Sequence, residues 1–327
     1  VQYAGWAAAR PTTWAATRAA ARVGAAAVGC ACSADGRKAG FWGRERRRRS
    51  YDGRANGAHR CGAIGASAEA CRQKGLSTMH VVLYNPPSSA GRKPIVPCSL
   101  LALGALLDGR WPWSIVDANL IVGDPYPALV AEVHRTGAEV VGMTVMPGPQ
   151  LADAIPLARR LKHDLPRVAI VWGGYFPSQH SDVVLADGCV DYVVRGHGED
   201  AFVALIGQLD AVRIATGGSA AAVAKGIAGV AWRDPVGGAA HDEGMPTIPH
   251  PERQPAFPWH RLPIERYLRK TFLGSRTIGH HSSYGCPFFC SFCAVVNMVD
   301  GAWLARSAET TAADVRTLVR EHGANAI

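Results

Sequence analysis

Five short, largely apolar runs, each stopped by Gly, Pro or a polar residue and separated by helical stretches, restrict residues 79–212 to few folds. The runs are 80–84 (HVVLY), 113–116 (WSIV), 140–145 (VVGMTV), 168–172 (VAIVW) and 191–194 (DYVV). A run with no polar face suits a strand covered on both sides. Residues 99–107, 126–135, 150–162, 182–186 and 201–209 read as helices, several ended by Gly or Pro. Strands alternating with helices predict a doubly wound, parallel, five-stranded α/β domain. Such sheets take ligands beyond the carboxyl ends of their strands. The unusual residues collect at those ends: Asn85, Asp117, Thr144, Gly173, Gly174, Arg195 and Gly196. Gly173-Gly174 lets a flat or bulky ligand approach the backbone, although a Gly pair also makes a plain tight turn.

The charge of the chain divides at Met79. Residues 1–78 carry 14 Lys and Arg against 4 Asp and Glu, including the run Arg46-Arg47-Arg48-Arg49; the rest of the chain carries 21 against 22. With no sustained period of 3.6 or 2, residues 1–78 read as an unstructured or mis-assigned basic leader. A nucleic-acid role would need that leader, so no nucleic-acid partner is expected of the nearly neutral body, which has the balance of a cytoplasmic cofactor enzyme. The composition, 48% hydrophobic and 19% charged, excludes a disordered, collagen-like or disulfide-stapled chain. No apolar run reaches the length of a membrane span.

Residues 213–275 read as a connector. An Ala/Gly-rich loop over 213–225 leads into a β-hairpin, 226–233 with 239–242, and then into an extended Pro- and His-rich linker over 245–262. His250, His260, His280 and His281 read as solvated loop residues. Cys98 and Cys189 stand alone and read as small buried hydrophobes.

The remaining segment, 276–327, holds the most specific pattern. Ser283-Tyr284-Gly285-Cys286-Pro287-Phe288-Phe289-Cys290-Ser291-Phe292-Cys293 places three cysteines within eight residues. Zinc would want a fourth ligand nearby, and none follows at a usual spacing. Three thiolates on a [4Fe–4S] cubane leave one iron open for substrate or cofactor. Beyond the motif, residues 307–322 read as one helix capped by Ser307 and ended at Gly323, with a new strand beginning at 324–327.

The Cys-x3-Cys-x2-Cys run, with an aromatic before its last Cys, resembles the cluster motif of the radical S-adenosylmethionine (SAM) superfamily. The preceding domain resembles the cobalamin-binding domain of one large branch of that superfamily. The matching stretches are Asp117-Ala118-Asn119-Leu120, Val141-Gly142-Met143-Thr144, Val171-Trp172-Gly173-Gly174 with Pro177-Ser178, and residues 193–199 (VVRGHGE). The resemblance implies a Rossmann-like cobalamin domain followed by the start of a partial (β/α) barrel. It implies that Cys286, Cys290 and Cys293 hold the cluster, that Phe292 packs on the SAM adenine, and that the strand-end residues above contact cobalamin. The sequence also departs from the pattern. Cobalamin domains of the methionine-synthase type carry an Asp-x-His-x-x-Gly loop after the first strand. Here the loop runs Asn85-Pro86-Pro87-Ser88-Ser89-Ala90-Gly91, so no protein histidine is expected on cobalt. His197 stands where an acidic residue is usual, and Tyr175 where His is frequent.

The implied activity is reductive cleavage of SAM to a 5′-deoxyadenosyl radical, with methyl transfer to an unactivated carbon of a small-molecule substrate. A flavodoxin or ferredoxin would supply the electron. Oxidative cyclisation or rearrangement is the alternative within the branch, and a non-catalytic cobalamin-binding sensor the alternative outside it. A radical SAM barrel needs more β/α units than 276–327 can provide, so this chain is expected to be an inactive fragment.

Overall fold

The computed structural model describes residues 79–88, 94–216, 224–234, 238, 240–299 and 301–327; the basic leader lies outside the described residues. Strands β1 (Val81–Asn85), β2 (Trp113–Asp117), β3 (Val140–Thr144), β4 (Ala169–Gly173) and β5 (Tyr192–Val194) pair in parallel in the order β2-β1-β3-β4-β5. Val81 pairs with Trp113 on one side and with Val140 on the other. The chain therefore reverses direction across the sheet between β1 and β3, and the crevice left there opens at the carboxyl ends of both strands.

Period-two alternation divides the strand residues between two cores. Val82, Tyr84, Val141, Met143, Ile170, Trp172 and Val193 face one; Val81, Leu83, Val140, Val171, Tyr192 and Val194 face the other. Helices α1 (Cys98–Leu107), α2 (Tyr126–Thr136) and α3 (Pro149–Asp164) join the strands. Two short helices, α4 (Tyr175–Gln179) and α5 (Ser181–Ala186), follow β4, and α6 (Glu199–Thr216) follows β5. Leu129 and Val133 of α2, Leu157 and Leu161 of α3 and Leu185 of α5 cover the first face. Leu100 and Leu107 of α1 and Phe202, Leu205 and Ile206 of α6 cover the second. Burying each such side chain contributes about 1.5–3 kcal/mol. At Gly104 a Cβ would stand 2.4–2.7 Å from the Trp113 indole; only glycine lets α1 lie on that ring.

The structure differs from the sequence reading in three places. Helix α6 begins at Glu199 and runs to Thr216, into the expected Ala/Gly-rich loop. Helix α4 starts directly after Gly174, with Pro177 in its first turn, where proline costs no hydrogen bond. The hairpin of β6 (Val230–Arg233) and β7 (Ala240–Asp242) does not stand apart. It pairs antiparallel onto β5, through Val193↔Ala231, and makes the sheet seven-stranded.

The linker is irregular, broken by 3-10 turns at Pro251–Arg253 and Trp259–Arg261, and it is docked. Phe257, Trp259, Leu262, Ile264, Tyr267 and Leu268 form a third core with Val96, Cys98 and Leu101 from the α1 region. Leu318 joins that core from α8 (Ala308–Arg320), whose first turn is capped by the Ser307 hydroxyl accepting from Thr310 N at 3.2 Å. Strand β8 (Ser283–Gly285) pairs antiparallel with β9 (Trp303–Ala305), with the short helix α7 (Val296–Val299) between them. Thr277 bridges Ala326 in parallel. That contact is an isolated bridge, and among the described residues no barrel closes. No helix among them is long and apolar enough to cross a membrane.

Candidate functional site

A cavity of about 770 Å³ opens over the carboxyl ends of β1, β3, β4 and β5 and is bordered on its far side by residues from 281–286 and 295–299. Its floor is glycine: Gly142, Gly173, Gly174, Gly196 and Gly198 all line it. Gly174 has φ +98°, and a Cβ there would come within 3.0 Å of Val145 N and O, so this position serves the backbone turn. Gly173 is different. A Cβ there would meet only Val194, at 3.4 Å or more, so its missing side chain enlarges the cavity. Val145 N donates to Gly173 O at 2.8 Å, and Gly196 N to the Ser178 hydroxyl at 2.8 Å. These bonds lock the three strand-end turns together.

Of the residues singled out from sequence, Asn85, Thr144, Gly173, Gly174, Gly196 and Cys286 line this one cavity. Asp117 lies beneath it. Its Oδ1 accepts from Asn85 Nδ2 at 3.0 Å and from Asn119 N at 2.9 Å, and its Oδ2 accepts from the Tyr267 hydroxyl at 2.6 Å. Gln150 Nε2 donates to Asn85 Oδ1 at 3.0 Å. Asp117 thus holds Asn85, and Asn85 meets the cavity. Arg195 is turned away altogether: its guanidinium pairs with Asp242 of β7 at 2.6 Å and donates to Ser178 O at 3.2 Å. The antiparallel hairpin placed a carboxylate where the guanidinium could reach it, so Arg195 fastens β7 and does not contact the cavity.

The cysteine loop leaves β8 at the cavity mouth. Cys293 N donates to Cys290 O at 3.0 Å, so the last four residues of the motif form a turn. Cys286 lines the cavity, Cys290 is exposed, and Phe292 is 89% exposed with its ring in solvent. Among the described residues no three Cys, His, Asp or Glu side chains are close enough together to hold a metal ion. The donor set itself, three thiols within eight residues, suits iron and sulfide, and an exposed loop can draw together around them. Cys98 and Cys189 are buried, and burial pushes both thiols up to about 12, as befits small hydrophobes.

Four cavity residues went unpredicted as a site: His197, Glu199, His281 and Tyr284. Of the two histidines before β8, His280 is not solvated as expected, while His281 is exposed and lines the cavity. The His280 side chain is 4% exposed and bonds Asp314 at 3.0 Å. His281 turns to the cavity, where lost hydration and the neighbouring His280 and His197 lower its pKa. Burial and the Glu199 carboxylate push the Tyr284 phenol up. Burial, with Cys293 nearby, also raises Tyr175. The signal in the sequence was adjacency: His281 and Tyr284 immediately precede Cys286. His250 and His260 are exposed, as expected.

A flat, glycine-floored crevice at the strand reversal suits a large planar ligand, and the family comparison agrees. The model of the B12 binding domain matches residues 94–206. The chain carries a B12-binding domain. It is 25% identical over 261 residues, 75% of this chain and 48% of the relative, to the anaerobic magnesium-protoporphyrin IX monomethyl ester cyclase of Synechocystis sp.. It is 24% identical over 254 residues, 76% of this chain and 52% of the relative, to an uncharacterized methyltransferase of Pyrococcus horikoshii. The chain spans about half the length of these curated relatives.

Among solved structures, the cobalamin-dependent SAM radical enzyme OxsB matches with a TM-score of 0.61 at 16% identity, over 78% of this chain and 34% of that one. The radical SAM methyltransferase TsrM of Kitasatospora setae matches with 0.52 at 19% identity, over 75% and 46%. These likenesses show the fold. In the B12-binding domain described here, β1 and Asn85 precede the matched stretch, yet they complete the sheet and the cavity.

Proposed function

We propose that this chain is part of a cobalamin-dependent radical SAM enzyme that methylates an unactivated carbon of a small molecule. One observation carries the reading: a single cavity is lined both by the glycine floor of the B12-binding domain and by Cys286 of the cysteine loop. Cofactors bound on those two sides would meet in one cavity. When bound, a [4Fe–4S] cluster with SAM supplies a 5′-deoxyadenosyl radical, and cobalamin supplies the methyl group. The protein's part is positional. Gly173 clears the floor, and the Asp117–Asn85–Gln150 chain fixes one wall. Val96, Leu100, Val171 and Phe202 line the cavity with apolar surface and keep water away from a reactive radical. Cys286, Cys290 and Cys293 would hold the cluster, and Phe292 would turn inward to cover SAM. An electron donor such as flavodoxin or ferredoxin would serve as partner. The cyclase relative favours ring formation as the second reading.

Gly173 gives the direct test. Its backbone tolerates a side chain, and that side chain would enter the cavity. Gly173→Leu is expected to weaken hydroxocobalamin binding about tenfold to hundredfold, the effect of ~1–3 kcal/mol of overpacking. Its thermal midpoint should stay near that of the unsubstituted chain. Retention of corrinoid absorbance through gel filtration, followed by titration, reads the effect. Equal binding by both proteins would place the corrinoid elsewhere.

A further inference from the structure

The loop that follows the docked linker is braced, and its tip is apolar. Arg269 N donates to Thr277 O at 3.0 Å and Thr277 N to Arg269 O at 2.8 Å, so residues 269–277 close on themselves. Inside the loop, Thr271 N donates to Gly274 O at 2.9 Å and Leu273 N to the Thr271 hydroxyl at 3.1 Å. The Thr271 and Thr277 hydroxyls share a bond of 2.7 Å. Asn325 holds the loop from outside. Its Oδ1 accepts from Arg276 N at 2.8 Å, and its Nδ2 donates to the Ser275 hydroxyl at 2.8 Å. At the tip of this frame stand Phe272, 97% exposed, and Leu273, 59% exposed. Single apolar residues on a surface are ordinary. Here two adjacent ones are held in water by a bonded turn, next to two cations.

Charge selects what covers them. Residues 266–299 contain four Lys and Arg and no Asp or Glu. Arg276 is paired with Glu265 at 2.9 Å, and Arg266 donates to Leu120 O at 2.8 Å. Arg269 and Lys270 are exposed, and among the described residues neither has an ion-pair partner. We propose that the 269–277 loop docks the protein peripherally on an anionic membrane surface. Phe272 and Leu273 enter below the head groups, and Arg269 and Lys270 stay at the level of the lipid phosphates. A specific protein interface covers about 800 Å² on each partner, far more than two side chains and two cations offer. A bilayer accepts so narrow a wedge. No described helix is long and apolar enough to span the membrane, so the contact is made at its surface.

The test sediments the full chain with vesicles of phosphatidylcholine and phosphatidylglycerol in equal parts, and with vesicles of phosphatidylcholine alone. The chain is expected to bind the first and not the second. Arg269→Gln with Lys270→Gln is expected to weaken binding about fivefold for each cation lost. Phe272→Ser with Leu273→Ser is expected to weaken it at least about tenfold. Val183→Ser removes a comparably exposed apolar side chain beside Asp182 and is expected to change nothing. All these side chains are exposed, so thermal midpoints should match. The basic residues 1–78 are the same in every variant, so any vesicle binding of their own is common to all. Equal sedimentation of the parent and both double variants would assign binding to another surface and overturn the proposal. So would a parent chain that stays in solution, or one that binds both kinds of vesicle alike. A parent that elutes as a dimer, with Phe272→Ser/Leu273→Ser eluting as a monomer and no vesicle binding, would give the tip to a second copy and overturn it too.

Discussion

Replacing Asp117 by alanine is expected to destabilise the protein by about 3–5 kcal/mol, and the reason is the number of donors it would abandon. Asp117 is 5% exposed and sits at the last position of β2. Its two oxygens take four bonds: Asn85 Nδ2 at 3.0 Å, Asn119 N at 2.9 Å, Asn119 Nδ2 at 2.8 Å and the Tyr267 hydroxyl at 2.6 Å. Asn85 and Tyr267 are themselves buried, so their donors have no water to turn to. Each lost buried partner costs about 1–3 kcal/mol. Tyr267→Phe removes one bond of the four and should cost about 1–2 kcal/mol. Urea denaturation followed by circular dichroism orders the two variants. A cost below about 1 kcal/mol for Asp117→Ala would show that the network does not hold β1, β2 and the linker together. The same variant should bind corrinoid less well, because Asn85 loses its anchor while Gln150 still pulls on its other end.

Asp117 also shows where sequence reading stops. An acid at a strand end was legible as unusual, but its partner, Tyr267, lies 150 residues away in the linker. Arg195 repeats the lesson with Asp242, 47 residues on. A charged side chain at such a position can serve a ligand or a neighbouring element, and only the fold reveals which neighbour arrives. Glycine is more legible, because the residue type itself marks a place without a side chain, although only the fold tells that Gly174 serves the turn and Gly173 the cavity. Gly173, Gly174 and Gly196 were found for that reason. The five parallel strands were legible because a run with no polar face must be covered on both sides. The hairpin could be read as a hairpin. Its docking on the edge of β5 could not, since nothing local to β6 or β7 encodes that register. His197 and His281 escaped because each occupies a loop, where histidine is usually solvated, and a cavity formed between distant segments drew them in.

Anaerobic reconstitution with iron and sulfide is expected to leave about four iron atoms on each chain, and Cys290→Ala is expected to abolish their retention. The argument combines exposure with chemistry. Cys290 is exposed, so its substitution should change stability by no more than about 0.5 kcal/mol. Loss of iron could then not be ascribed to unfolding. Cys98→Ala is the converse control. That thiol is buried in the third core, and its substitution should spare the iron. Among the described residues the three motif thiols do not stand close enough together to hold a metal ion, so a cluster held by all three would draw the loop together. Residues 285–294 should therefore become resistant to proteolysis on loading, in step with iron content. The exposed rings of Phe288, Phe289 and Phe292 report on the same closure through the protease sites beside them. Iron retained equally by Cys290→Ala would remove the cluster assignment. A chain that holds corrinoid and no iron would turn the reading to a B12-binding module without radical chemistry. The glycine-floored cavity would then be the whole of its function, and Cys286 one more residue of its wall.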